Sequence, residues 1–123
     1  MKLTSYYTNT LHLYSMILQT NVILYCPLLH GVEYSCDSGY ISDSNIFIKE
    51  GYTWDGCTLA IDTKRTYDAS LVHDFLYEYK PVTRSIADKI FYNILQNNKF
   101  RLSLLYYIAV RLFGTFYYTK NNV

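Results

Sequence analysis

Two segments with helical apolar spacing flank Lys80-Pro81-Val82-Thr83, and that short break constrains the chain more than any other feature. From Ala69 to Tyr79, apolar residues fall at Leu71, Val72, Phe75, Leu76 and Tyr79, the repeat of one helix face. A second run starts at Thr83, a good N-cap, and reaches about Gln96. It carries Ile86, Ile90, Phe91, Ile94 and Leu95 on one side, and Asn97-Asn98 ends it. Helices joined so closely run antiparallel. His73 then sits about two turns before the break and Asp88 about one turn after it, so their side chains can meet across the hairpin. A histidine held by a carboxylate is the usual form of a general base.

The rest of the chain reads as the β part of an α+β fold, within one domain spanning residues 1–123. Residues 1–50 are β-rich. Leu11-His12-Leu13-Tyr14, Asn21 to Tyr25, Val32 to Cys36 and Asn45 to Ile48 are short runs of strand formers, with a turn at Asp37-Ser38-Gly39. Residues 51–58 form a Gly/Asp loop, and 68–114 form the helical part. Asp68 is the expected N-cap of the first helix. A third helix is expected from about Phe100 to Phe113, with Gly114 as its C-terminal cap and a loose tail from Thr119.

Composition narrows the function classes. Eleven basic against ten acidic residues give a net charge of +1, which offers nucleic acid no electrostatic footprint. Fifteen tyrosines are an excess that suits half-buried strands, wet interfaces or membrane-surface belts, and an AT-rich genome would write them too. Cys26, Cys36 and Cys57 are odd in number and lack Cys-x-x-Cys spacing, which argues against a disulfide framework or a zinc site and fits a reducing compartment. The N-terminus has no signal-peptide pattern. Leu102 to Tyr118 is apolar but short for a span, and a central Arg111 costs about 2.5–3.5 kcal/mol on insertion scales. That segment is expected to be a buried helix rather than a transmembrane one.

Three places could carry chemistry. The loop Gly51-Tyr52-Thr53-Trp54-Asp55-Gly56-Cys57-Thr58 brings glycines, Asp55 and the one tryptophan together. Backbone carbonyls beside a carboxylate make a calcium-type site, while a tight turn with Trp54 as a core plug is the plainer reading. His73, with Asp74 next to it and Tyr77 one turn on, is either a base or a satisfied core histidine. Lys64 and Arg65 could bind an anion but suit solvent as well. His12 and His30 have no partners at metal-ligand spacing.

Four segments taken in order, Gly51 to Thr58, Ala69 to Tyr77, Ala87 to Phe91 and Tyr107 to Gly114, resemble the phage-associated domain-of-unknown-function family 1353. The resemblance runs from about Phe47 to Gly114. It implies a bacteriophage or prophage origin, residence in the host cytoplasm during infection or in the virion, and no settled activity. The same pieces look like a reduced phospholipase A-two, especially its short bacterial forms. By that likeness His73 is the base that activates water, Asp88 orients it and Tyr77 supports Asp88. Asp74 is a Ca2+ ligand, with carbonyls from Trp54, Asp55 and Gly56 completing the site. The chain departs from that pattern at Leu71-Val72, where the phospholipases carry a paired cysteine, and in having few glycines in the loop.

These readings set two functions side by side. One is a small hydrolase with a His73–Asp88 dyad acting on an ester such as a lipid. The other is a non-enzymatic virion or accessory protein, partnered with phage structural proteins, in which the same residues form a polar network that holds the hairpin. Membrane contact through Leu102 to Tyr118 is a third and weaker option.

Overall fold

The structure, a computed structural model, describes residues 5–10, 13–54 and 64–120. The chain divides into two compact units, Met1–Gly56 and Cys57–Val123, with the division inside the expected 51–58 loop. The architecture is α+β: among the described residues, seven strands precede three α-helices.

The first unit holds two antiparallel sheets. Strands β1 (Ser5–Thr10), β2 (Leu13–Leu18) and β7 (Thr53–Trp54) form one, in the order β1-β2-β7. Strands β3 (Val22–Tyr25), β4 (Tyr34–Cys36), β5 (Gly39–Ser42) and β6 (Asn45–Ile48) form the other, in the order β3-β6-β5-β4. Alternation sorts their side chains: Val22, Ile41, Ile46 and Ile48 are buried, while Ile23, Tyr25 and Tyr40 face outward. The β5–β6 hairpin turns on Asp43 and Ser44 at φ 52° and 65°, the left-handed pair that matches strand twist. Gly39 is required where it stands, because a Cβ there would run into the Phe47 carbonyl.

Several strand expectations change here. The strand placed at Leu11 to Tyr14 is in fact β2, beginning at Leu13; residues 11 and 12 lie outside the described part. β1 was not anticipated, although its tyrosines and threonines are strand formers, and neither was β5, which turn residues flank on both sides. Trp54 belongs to β7, where it is buried opposite Met16 in β2.

The second unit is a helix hairpin with a third helix. α1 (Lys64–Tyr79) begins earlier than its apolar spacing suggests. Asp68 is therefore inside the helix and is not its N-cap. Its carboxylate accepts from the Asn98 side-chain amide at 2.7 Å and from its neighbour Ala69 N–H at 2.9 Å. Burial pushes the Asp68 carboxyl above the usual range, against the pull of those hydrogen bonds. α1 ends at Tyr79: Lys80 N–H still bonds the Leu76 carbonyl at 3.0 Å, and the left-handed φ of 54° at Lys80 then turns the chain out of the helix. Thr83 then caps α2 (Arg84–Asn97), accepting from Ile86 N–H at 3.3 Å as expected. α2 closes with Lys99 in the left-handed region: Lys99 N–H reaches Gln96 and Phe100 N–H reaches Leu95, the paired bonds of a Schellman end. Arg65, expected in solvent, is exposed but donates to the Lys99 carbonyl at 3.0 Å.

α3 (Ser103–Lys120) departs most from expectation. It runs beyond Gly114, which is buried in mid-helix and caps nothing, and it takes in the Thr119–Lys120 part of the expected loose tail. It is also not a buried helix. Tyr106, Val110 and Gly114, spaced by four, line its one buried face, whereas Leu104, Leu105, Ile108, Leu112 and Phe113 are exposed. No described helix is long and apolar enough to cross a membrane.

Candidate active site

Asp88 lies one turn into α2, on the side facing α1 and α3, and its side chain is wholly buried. A buried carboxylate is sustained only by donors. Four converge on it. His73 Nε2 stands 2.7 Å from Oδ1, and the Tyr77 hydroxyl donates to the same oxygen at 2.5 Å. Arg111 Nη1 donates to Oδ2 at 2.8 Å, and Arg84 Nη1 reaches that oxygen at 3.4 Å. One carboxylate therefore joins α1, through His73 and Tyr77, to α3, through Arg111.

Arg84 adds a second tie between α2 and α3. Its Nη1 donates to the Val110 carbonyl at 3.0 Å and its Nη2 to the Arg111 carbonyl at 3.3 Å. Gly114 makes room for this arrangement. A Cβ there would collide with the Tyr77 hydroxyl and stand 3.0 Å from Arg84 Nη1.

His73 is buried, with a tenth of its side-chain surface left exposed. Its ring lies 4.1 Å from that of Tyr77 and 4.7 Å from that of Phe91. Burial lowers its pKa, and the hydrogen bond and charge of Asp88 offset only part of that. The imidazole is therefore neutral near neutrality. Because Nε2 faces a carboxylate oxygen, Nε2 carries the proton and donates it, and the lone pair is on Nδ1. Nδ1 makes no hydrogen bond to the described residues. Burial and the bond to Asp88 together push the Tyr77 phenol far above its ordinary range, so it remains a donor.

The sign of the pH dependence follows. The folded pKa of His73 lies below its unfolded value near 6.5, so the unfolded chain binds more protons between the two. Stability from neutral His73 is complete above about pH 6.5 and is lost as pH falls toward the folded pKa. Unfolding free energy measured by urea titration is expected to drop below about pH 6.5 in wild type and to drop less in His73→Gln. Parallel curves for the two proteins would remove His73 as the cause. Asp68, with a raised folded pKa, contributes the opposite slope above its unfolded value of 3.8 and cancels in the comparison.

The structure thus brings His73, Asp88 and Tyr77 together as the sequence suggests. Asp74 is half-buried on α1 beside His73, and it makes interactions of its own. Asp55 and Gly56 lie outside the described residues, and Trp54 is a buried strand residue in the other unit. Among the described residues, no three His, Cys, Asp or Glu side chains are placed to share a metal. Sequence reasoning missed Arg84 and Arg111. Both left a signal: Arg84 stands four residues before Asp88, and Arg111 is a lone charge in an apolar helix, which needs a partner.

Fold and site define a small α+β protein whose three helices are tied to one buried aspartate. A family model matches residues 30–110, and the chain belongs to that family, described as Protein of unknown function (DUF1353). No curated protein and no solved structure matches it.

Proposed function

We propose that this chain is a bacteriophage hydrolase of phospholipase-like type that cleaves an ester, a lipid ester first among the candidates. The observation that supports this is the placement of His73: its Nε2 stands 2.7 Å from Asp88 and its Nδ1 makes no hydrogen bond to the described residues, while burial lowers its pKa and so favours the neutral ring. A general base needs that combination. In the proposed reaction Nδ1 takes a proton from water as the water oxygen bonds to the ester carbonyl carbon. The resulting imidazolium returns the proton to the alcohol oxygen as the C–O bond breaks. Asp88 steadies the imidazolium, and Tyr77 holds Asp88 in place. No step runs through a metal. A calcium-assisted form has its own test: saturable calcium binding in calorimetry that Asp74→Asn abolishes adds the ion to the reaction.

One observation favours a second reading, that of a non-enzymatic virion or accessory protein. Asp88 already accepts from four side chains on three helices, as a purely structural hub would. The two readings separate in a screen of purified wild type and His73→Gln against short-chain carboxyl esters and phospholipid vesicles, with thermal stability recorded alongside. The hydrolase reading expects turnover by wild type and only background from a folded His73→Gln. A folded wild type with no turnover on any of these esters removes that reading. Recovery of the chain in purified phage particles then supports the virion role over one in the host cytoplasm.

A further inference from the structure

Lys80 is unfavourable in two separate ways. Its backbone is left-handed, at φ 54°, in a position where glycine would be free of strain. Its Nζ is buried and has no hydrogen-bond partner among the described residues. The ammonium instead lies 4.9 Å from the centre of the Tyr118 ring. A ring face attracts a cation but leaves its N–H donors unmade, and a buried charge without hydrogen bonds is costly. Outliers of this kind cluster at ligand sites, where the ligand supplies what the protein lacks. We infer that Lys80 binds a phosphate group, free or carried on a lipid headgroup, at the turn of the helix hairpin, and that the Tyr118 ring occupies the place of that phosphate in this structure.

The surroundings suit a negative charge. α2 follows directly after Pro81-Val82-Thr83 and runs for 14 residues, so the positive end of its dipole lies at this turn. Thr83 satisfies the Ile86 N–H, one of the four that a helix N-terminus leaves open. No acidic residue stands in the first turn of α2 to compete with an anion. Arg84, the cation of that turn, is committed to Asp88 and to two carbonyls of α3, so the charge offered to a phosphate comes from Lys80. The cover over Nζ is lightly held. The Tyr118 hydroxyl donates to the Val82 carbonyl at 3.4 Å, a long bond, and its ring meets that of Tyr77 edge-on at 5.1 Å. Tyr118 also lies in the last turn of α3, and helix ends open more readily than their middles. Exchange of the ring for a phosphate gives Nζ charge-assisted hydrogen bonds in place of none. The same movement uncovers Tyr77, whose ring lies 4.1 Å from that of His73. This inference does not depend on the hydrolase reading, and its test uses no ester turnover.

The test is titration of the full chain with inorganic phosphate, followed by calorimetry and by NMR of the tyrosine rings. Wild type is expected to bind saturably in the millimolar range, with the Tyr118 ring signals shifting as the site fills. Lys80→Met keeps the reach of the side chain and deletes the charge, and it is expected to weaken binding at least about tenfold with unchanged circular dichroism. Tyr118→Ala is expected to tighten binding at least about threefold, because the ring no longer competes. Phosphatidylglycerol vesicles form the second arm. Flotation that Lys80→Met abolishes assigns the phosphate to a lipid headgroup, and phosphate binding without flotation assigns it to a soluble molecule. A wild type that binds neither phosphate nor vesicles overturns the inference. So does equal binding by wild type and Lys80→Met. Tyr118 signals that stay fixed at saturation, or an unchanged affinity in Tyr118→Ala, overturn the place given to the ring.

Discussion

Asp88→Asn is expected to lower unfolding free energy by about 3 kcal/mol, measured by urea denaturation at pH 7. Removing one partner of a buried ion pair commonly costs about 3–5 kcal/mol, because the remaining charge is left buried without compensation. Two features place this site at the lower end. Arg84 and Arg111 keep 21% and 35% of their side-chain surface, so each can recover part of its hydration. The asparagine oxygen can also still accept from His73 and Tyr77, but its amide group then faces the two guanidinium groups, donor against donor. Small domains have about 5–15 kcal/mol in all, so this one change should be visible in yield as well as in the denaturation midpoint. A loss under about 1 kcal/mol would mean that Asp88 does not organise the three helices.

Gly114→Ala is expected to destabilise, which reverses the usual sign. In an exposed helix interior that substitution gains about 1 kcal/mol, since glycine is the poorer helix former. Here the new methyl would meet the Tyr77 hydroxyl and press on Arg84 Nη1. Neither group is a loose side-chain end. The Tyr77 hydroxyl is bonded to Asp88, and its ring lies against those of His73 and Tyr118. Arg84 is bonded to two carbonyls of α3. Yielding would break the hydrogen bonds around Asp88, so overpacking should outweigh propensity by a net of about 2 kcal/mol. A thermal melt gives the sign directly, and a raised midpoint in Gly114→Ala would contradict the crowding.

Local rules carried the sequence reading where a feature depends on near neighbours. The apolar spacing on either side of Lys80-Pro81-Val82-Thr83 and the Thr83 cap were enough for an antiparallel hairpin, and that hairpin with its helical periodicity brought His73, Tyr77 and Asp88 to one place. The same rules misread Gly114 as a cap and Asp68 as an N-cap, because each residue type has a common local role that a distant partner overrode. For Asp68 the partner is Asn98. For Gly114 it is the Tyr77 and Arg84 pair.

The sequence by itself determined the α+β class, the hairpin and the His73–Asp88 pairing, since helical periodicity and a short connection leave those residues little freedom. Only the tertiary structure decided that Arg84 and Arg111 also close on Asp88 and that α3 buries one of its two apolar faces. Both depend on where a third helix docks. An apolar pattern states that a surface is to be covered, but it does not state by what. Likewise a lone charge requires a partner, and only three-dimensional packing selects which one.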